Sequence, residues 1–233
     1  RGVCGRVDVW TSLRKIGRVL PCVRTRIEKM TLTQKKNITQ QLCNGIRAFD
    51  IRVEYDEIGD IFYCVHTFGT IPFMEFIHQI KYFFTEVDRI NDNIYIIMRP
   101  DYKSGFTITG KENQLLDLVG TNLGAYLETK IKFYYSPLAE FTILPEKIHH
   151  MSELNLIWLN AQSKQDFIDK YAAYKTNPAR DVLCGVLTPT TKVNCQNLFK
   201  TSLEGYANEL NPIILNLVLS RKERPLILLT DFI

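Results

Sequence analysis

Nowhere in this 233-residue chain does an apolar run reach the roughly 18 residues that a membrane-crossing helix needs. A transmembrane span is therefore not expected. The first segment is interrupted repeatedly by charge, unlike a secretory leader. The cysteines, at Cys4, Cys22, Cys43, Cys64, Cys184 and Cys195, show no C-x-x-C or other metal-ligand spacing, which argues against a zinc site. Most sit beside apolar residues, as buried free thiols do. No glycine-rich phosphate loop follows any strand-like run, which counts against a dinucleotide-binding sheet. Internal repeats, low-complexity tracts and interdomain linkers are absent too. Histidine is scarce, with four in the chain and the first at His66.

What is present suits a globular protein: 45% hydrophobic and 23% charged residues are ordinary values for a chain with a real core. The net charge of +4 hides a division. Residues 1–30 hold six Arg and two Lys against Asp8 and Glu28, so the remainder carries −2. Arginine dominates the first segment, whereas lysine outnumbers arginine fourteen to seven afterwards. This segment reads either as a basic arm for nucleic acid or anionic lipid, or as an atypical piece of different origin. The second is preferred, and no nucleic-acid partner is expected. The tripeptide at Asn37 matches a glycosylation sequon, a weak signal taken alone.

From residue 31 onward, helix and strand patterns alternate. Residues 33–45 read as a helix stopped by Gly45, and 46–55 as a strand. A turn at 56–60 leads to a second strand, "IFYCVH", which ends in His66. Period-two alternation puts Asp50 and Arg52 on one face of the first strand and Phe49, Ile51 and Val53 on the other. An acid, a permanent cation and an imidazole thus reach one neighbourhood, a combination suited to phosphoryl chemistry. A helix is expected over 73–90, followed by the continuous apolar strand "IYIIM". Further helices are expected over 111–129, 164–175 and 196–220, the last interrupted at Pro212. Strands are expected at "LNLIWLN", at "DVLCGVLTPT" up to Pro189, and at "PLILLTDFI". Apolar strands alternating with amphipathic helices imply a parallel sheet covered by helices. A TIM-type barrel fits best, with its chemistry at the C-terminal strand ends. His66 and Asp231 stand at such ends.

"TQKKNITQQLCNGIRAFDIRV" followed by "FYCVHTFGT" resembles the X domain of phosphatidylinositol-specific phospholipases C. That family shows a helix of the form I-x-x-Q-L-x-x-G-x-R, then F-D-(I/L)-R, then a His on the next strand. "CGVLTPT" and "LILLTDFI" resemble later strands of the family, and the likeness covers about residues 33–233. It implies an α/β fold, an irregular (β/α) TIM-type barrel over 31–233, incomplete at both ends. The implied reaction cleaves the glycerol–phosphate bond of a phosphoinositide, with the inositol 2-hydroxyl attacking phosphorus. Arg52 matches the guanidinium that binds phosphate, and His66 the general acid that protonates the leaving diacylglycerol oxygen. Asp50 would hold Arg52 or His66 in position, and Asp231 would orient the general-base His. In calcium-dependent members an acid stands at the position of Arg52, so a metal-independent type without cofactor is expected. The family's early G-(T/S/A)-H-(D/N)-(S/T) strand, which carries the base, has no counterpart here.

Two functions follow: an active phospholipase C acting on phosphoinositide lipid at a membrane surface, and an inactive domain that binds the same headgroups. A metal-dependent phosphodiesterase of the glycerophosphodiesterase group would want several inward acids, against which Arg52 argues. A monomer is expected, and the compartment is left open. Arg99, at the end of "IYIIM", is a candidate for contact with phosphate or inositol. In isolation Asp50–Arg52 would read as a structural ion pair and His66 as a core histidine; the longer pattern favours the functional reading of both. His78 reads as structural. The pair at His149 and His150 reads as a loop, with metal binding disfavoured because adjacent side chains point apart. Phe68, Phe73 and Tyr102 read as core aromatics or as a lipid-facing rim.

Overall fold

The computed structural model describes residues 34–66, 68–87, 93–100, 108, 110–138, 143–186 and 202–231; the side chains of 66–70 lie outside this description. The basic segment, Tyr102 and most of "VLTPT" are therefore outside it as well. The described residues fall into two compact units, 36–152 and 153–231 with 34–35.

The first unit is built on a six-stranded sheet. Its strands are β1 (Ala48–Asp56), β2 (Ile61–His66), β3 (Phe68–Pro72), β4 (Ile94–Pro100), β5 (Ile131–Tyr135) and β6 (His149–His150), in the order β3-β2-β1-β4-β5-β6. The β1–β2–β3 meander is antiparallel, while β1, β4, β5 and β6 run parallel. One face is apolar: Phe49 and Val53 of β1, Ile94, Ile96 and Met98 of β4, and Ile131, Phe133 and Tyr135 of β5 belong to a single buried cluster. Two helices complete that cluster. In α2 (Phe73–Tyr82), Phe73, Phe76, Ile77 and Ile80 recur at helical spacing and are buried; in α3 (Glu112–Leu123), Leu115, Leu116, Val119 and Leu123 do the same. Each such side chain contributes about 1.5–3 kcal/mol on leaving water. Phe73 is fully buried here and is no part of a lipid-facing rim.

A short helix, α1 (Ile38–Cys43), precedes β1, and the residues that carry the family-like signature shape its ends. Asn37 and Gln40 form a reciprocal capping box. Gln79 of α2 accepts from the Ile38 and Thr39 N–H groups at 2.8 and 3.3 Å. The Thr39 hydroxyl donates to the Gln79 carbonyl, so both polar residues of the sequon-like tripeptide have local structural partners. Gln41 is buried and donates to the Lys36 carbonyl at 2.8 Å. Gly45 turns the chain at φ +91°, a conformation that costs glycine little. Arg47 donates to the Leu42 and Ile46 carbonyls and lies 5.5 Å from the Phe83 ring centre. In G-x-R the glycine and arginine therefore finish a helix and aim β1.

The second unit holds a three-stranded parallel sheet of β7 (Asn155–Trp158), β8 (Asp181–Cys184) and β9 (Ile227–Leu229). α4 (Lys164–Ala173) and α5 (Leu203–Ser220) pack on it through Phe167, Tyr171, Leu210, Ile214 and Val218. Arg221 closes α4, donating to the Tyr174 and Ala172 carbonyls at 2.7 and 3.1 Å over the Tyr171 ring. Asp181 is completely buried and accepts from Asn155, the Tyr174 hydroxyl and the Asn177 N–H.

Several elements differ from the sequence-based expectation. α1 is six residues long, and 34–37 before it are not helical. α2 ends at Tyr82 and continues as a π-helical turn, Phe83–Val87. α3 stops at Leu123, and Glu128 then adopts a left-handed φ of +69° on the way into β5. Strands β3, β5 and β6 carry no periodicity that marks them in the sequence. α5 runs unbroken through Pro212; the proline costs its own N–H, but buried residues on both sides, Leu210 and Ile214, hold the helix on the sheet.

At Gly185 an added Cβ would lie 2.8 Å from Ile214 Cδ1 and 3.3 Å from the Leu229 carbonyl oxygen. Gly185→Ala should therefore lower stability by about 1–3 kcal/mol, read from the denaturant midpoint. Burial, then the hydrogen bond to Asp181, push the Tyr174 hydroxyl up to about 12. A raised folded-state value stabilises below the unfolded value of about 10 and is lost as pH climbs through the folded one. The stability advantage of wild type over Tyr174→Phe should shrink across that alkaline window, checked by denaturation at stepped pH.

Candidate active site

Opposite the helix-packed face, β1 presents Asp50, Arg52 and Glu54, the polar half of its alternation. Parallel pairing aligns Asp50 with Ile97 and Arg52 with Arg99. Two arginines thus stand directly across a strand pair, where backbones are about 4.8 Å apart and like charges repel. Both lie toward the C-terminal end of the β1–β4 parallel ladder, which runs from Ala48–Tyr95 to Val53–Pro100, the end at which barrel-type folds collect chemistry.

Asp50 resolves the clash on one side. Arg99 Nε donates to Asp50 Oδ1 at 3.2 Å, and Arg99 Nη2 donates to Oδ2. This is the fork geometry in which a guanidinium holds both carboxylate oxygens. The two side chains are 21% and 20% exposed, sheltered enough for the charges to act strongly and open enough for solvent to reach them. The sequence pattern had offered Asp50 to Arg52 or His66; the fork comes instead from β4. The signal was present in the sequence, in two polar side chains on neighbouring parallel strands, but required the register to read. Glu54, 7% exposed and opposite Tyr63, extends the polar face. Alternation alone would have added it to the candidates.

His66 closes β2. Val65 is the residue paired with Arg52, and His66 itself pairs with Phe68 of β3 beside a register shift. Its side chain is outside the described residues. Asp231 belongs to the second unit, two positions beyond β9, where its carbonyl accepts from Asn211 Nδ2 at 2.8 Å. Asp50, Arg52 and Arg99 are thus brought onto one sheet face, whereas Asp231 lies in the other unit.

The other candidates separate cleanly. His78 is exposed on α2. His149 meets Glu128 at 2.6 Å and stacks on Tyr134, while His150 meets Ser152. The adjacent imidazoles serve different neighbours, and both belong to β6 rather than to a loop. Hydrogen bonds from Lys132 and His149 hold the Glu128 carboxyl below the ordinary glutamate range. Burial, aided by the charge of Glu75, pushes the Cys64 thiol up to about 12, which rules it out as a nucleophile near neutrality. Cys43 is an exposed thiol and Cys184 a buried one. Among the described residues no group of three metal-ligating side chains converges, and no helix is long and apolar enough to cross a membrane.

No protein-family model matches the chain, and no curated protein sequence does. Solved structures do match. A pentafluoro-Phe-containing phosphatidylinositol-specific phospholipase C from Staphylococcus aureus is 18% identical with a TM-score of 0.62, over 88% of this chain and 80% of that one. The phosphatidylinositol-specific phospholipase C of Listeria monocytogenes is 17% identical with a TM-score of 0.57, over 99% and 85%. A further S. aureus structure, from work on modulation of that enzyme's membrane binding, gives 17% and 0.57 over 92% and 82%. The likeness is one of fold: an α/β architecture with mainly parallel sheets, as in these TIM-barrel-like enzymes.

Removing Asp50 would leave Arg52 and Arg99 facing each other without the carboxylate. Asp50→Ala should cost about 1–3 kcal/mol, and the deficit should shrink at high salt because screening weakens the repulsion. Urea midpoints of both chains at low and high salt test this.

Proposed function

We propose that this chain is a phosphatidylinositol-specific phospholipase C-like phosphodiesterase, acting on phosphoinositide lipid at a membrane surface without a metal ion. The observation that carries the reading is the facing Arg52–Arg99 pair near the C-terminal end of the β1–β4 ladder, with Asp50 beside it. An anionic phosphodiester is the ligand such a face favours, and the fold likeness to phosphatidylinositol-specific phospholipases C points to the same class.

In this reading Arg52 binds the phosphate and stabilises charge developing on its non-bridging oxygens. The inositol 2-hydroxyl attacks phosphorus and gives its proton to a base. The phosphorus–oxygen bond to glycerol breaks, and His66 as general acid protonates the departing oxygen. The products are diacylglycerol and inositol 1,2-cyclic phosphate.

A second reading rests on the histidines themselves. Besides His66 the chain has His78, His149 and His150; the first is exposed on α2 and the other two have partners within or beside the edge strand. A chain without a general base would bind phosphoinositide headgroups through Arg52 and turn them over poorly.

Phosphatidylinositol vesicles in EDTA, followed for inositol cyclic phosphate, separate the two. An active enzyme should lose about 10²–10³ in kcat with Arg52→Gln and about 10²–10⁴ with His66→Ala. Headgroup binding without product marks the inactive binder. Turnover that appears only when calcium is restored would overturn the metal-independent assignment.

A further inference from the structure

The β1–β2 hairpin reaches past the sheet it belongs to. β1 pairs with β4 as far as Val53–Pro100, whereas its ladder with β2 continues through Glu54–Tyr63 and Tyr55–Phe62 to Asp56–Ile61. Three further residues of strand, about 10 Å at the usual rise per residue, project with the turn 57–60 beyond the C-terminal end of the parallel ladder. At the tip Ile58 is 95% exposed, and Ile61 at the start of β2 is 40% exposed.

A lone apolar side chain on a surface is ordinary; Ile58 is set apart by how it is held. Its N–H donates to Asp56 Oδ1 at 3.0 Å. Across the turn the Tyr55 hydroxyl donates to Asp60 Oδ1. The Tyr55 ring lies against Phe62 with ring centres 5.0 Å apart, and Lys111 Nζ stands 4.6 Å from the Tyr55 ring centre. The tip is tied down while its large apolar side chain is left in water. A loop fixed in this way loses little conformational freedom on docking.

We propose that the hairpin tip is a membrane contact: Ile58, flanked by Ile61, enters a zwitterionic phosphatidylcholine bilayer and brings the C-terminal end of the β1–β4 ladder to the lipid surface. This rests on the phosphodiester reading above, in which the substrate is drawn from a bilayer toward that end of the strands. The charge of the tip selects the lipid. Asp56, Glu57 and Asp60 surround Ile58 in the chain, and Lys111 over Tyr55 offsets only part of that charge. Anionic lipid attracts Lys and Arg and repels such a tip, whereas the outward choline ammonium of phosphatidylcholine attracts it. Partition grows with the apolar area that leaves water, so substitution of Ile58 acts on it directly.

The test is sedimentation of the full chain with phosphatidylcholine vesicles, alongside binding and turnover of a short-chain phosphatidylinositol kept monomeric in solution. Ile58→Ser should weaken vesicle partition about tenfold, and Ile58→Glu should weaken it further. Both variants should handle the monomeric lipid to within about twofold of wild type, since an exposed tip residue bears little on the fold. Ile58→Trp should bind vesicles at least as tightly as wild type, and its added fluorescence should be quenched by brominated phosphatidylcholine. Replacing part of the phosphatidylcholine by phosphatidylglycerol should weaken binding at low salt, and added salt should restore it. Equal partition of wild type and Ile58→Ser overturns the inference, as does Ile58→Trp fluorescence that brominated lipid leaves unquenched. Binding that requires anionic lipid overturns it too and assigns the contact to a basic surface. Absence of vesicle binding by wild type overturns it and points the tip to a protein partner. The phosphodiester reading fails separately, when a chain that binds vesicles neither binds nor turns over the monomeric lipid.

Discussion

Everything proposed for this protein depends on one strand pairing, the parallel ladder that sets Arg52 of β1 opposite Arg99 of β4. Facing like charges are unfavourable, so the register has to be imposed by something stronger. The opposite face supplies it. Phe49 and Val53 are aligned with Ile96 and Pro100, and Phe49, Val53 and Ile96 pack with α2 and α3 in one buried cluster. A slip of one residue would turn that apolar set to the polar side and the arginines into the core. The helix packing therefore fixes the charge arrangement, and the Asp50 fork relieves what the packing imposes.

The segment before β1 serves the same end. α1 is too short to be stable alone, yet its ends are satisfied by its own capping box, by Gln79 and by Arg47. The residues that look most like a family signature, Gln41, Leu42, Gly45 and Arg47, meet backbone or core here. Asp50 and Arg52, by contrast, stand on the polar face of β1. A motif can thus be specific for a fold while most of its residues never approach a ligand. This is also why the fold likeness and the reaction have to be argued separately.

Much of this was legible in the sequence, and the exceptions have physical causes. β1, β2, β4, β7 and the start of β8 announce themselves through apolar alternation or continuous apolar runs. β6 is two residues long and polar, held to β5 by pairing and by the Tyr134–His149 stack, so no periodicity marks it. β5 follows a left-handed turn at Glu128, and its polar Lys132 among aromatics blurred the boundary with the preceding helix. Pro212 suggested a break because local chemistry disfavours proline in a helix, whereas the packing of Leu210 and Ile214 overrides it. Asp50 and Arg52 were found from their own strand. The partner of Asp50 was missed because it lies 49 positions away, and only register brings it near.

Two sheltered carboxylates show how the chain separates structure from chemistry. Asp181 is wholly buried and surrounded by neutral donors, Asn155, the Tyr174 hydroxyl and the Asn177 N–H. It ties β8 to β7 and to the turn after α4, and its charge is met by dipoles in place. Asp50 is partly exposed and met by a cation that faces another cation. Changing the partners of Asp181 alters how firmly strands are held. Changing the partner of Asp50 alters the balance of charge between two facing strands, at a place that solvent partly reaches. A carboxylate satisfied by dipoles fastens the fold; one satisfied by a guanidinium beside a second guanidinium sets how much positive charge the surface offers to an anion. The carboxylate of the D-x-R pattern is thus met by an arginine that the neighbouring strand β4 brings to it.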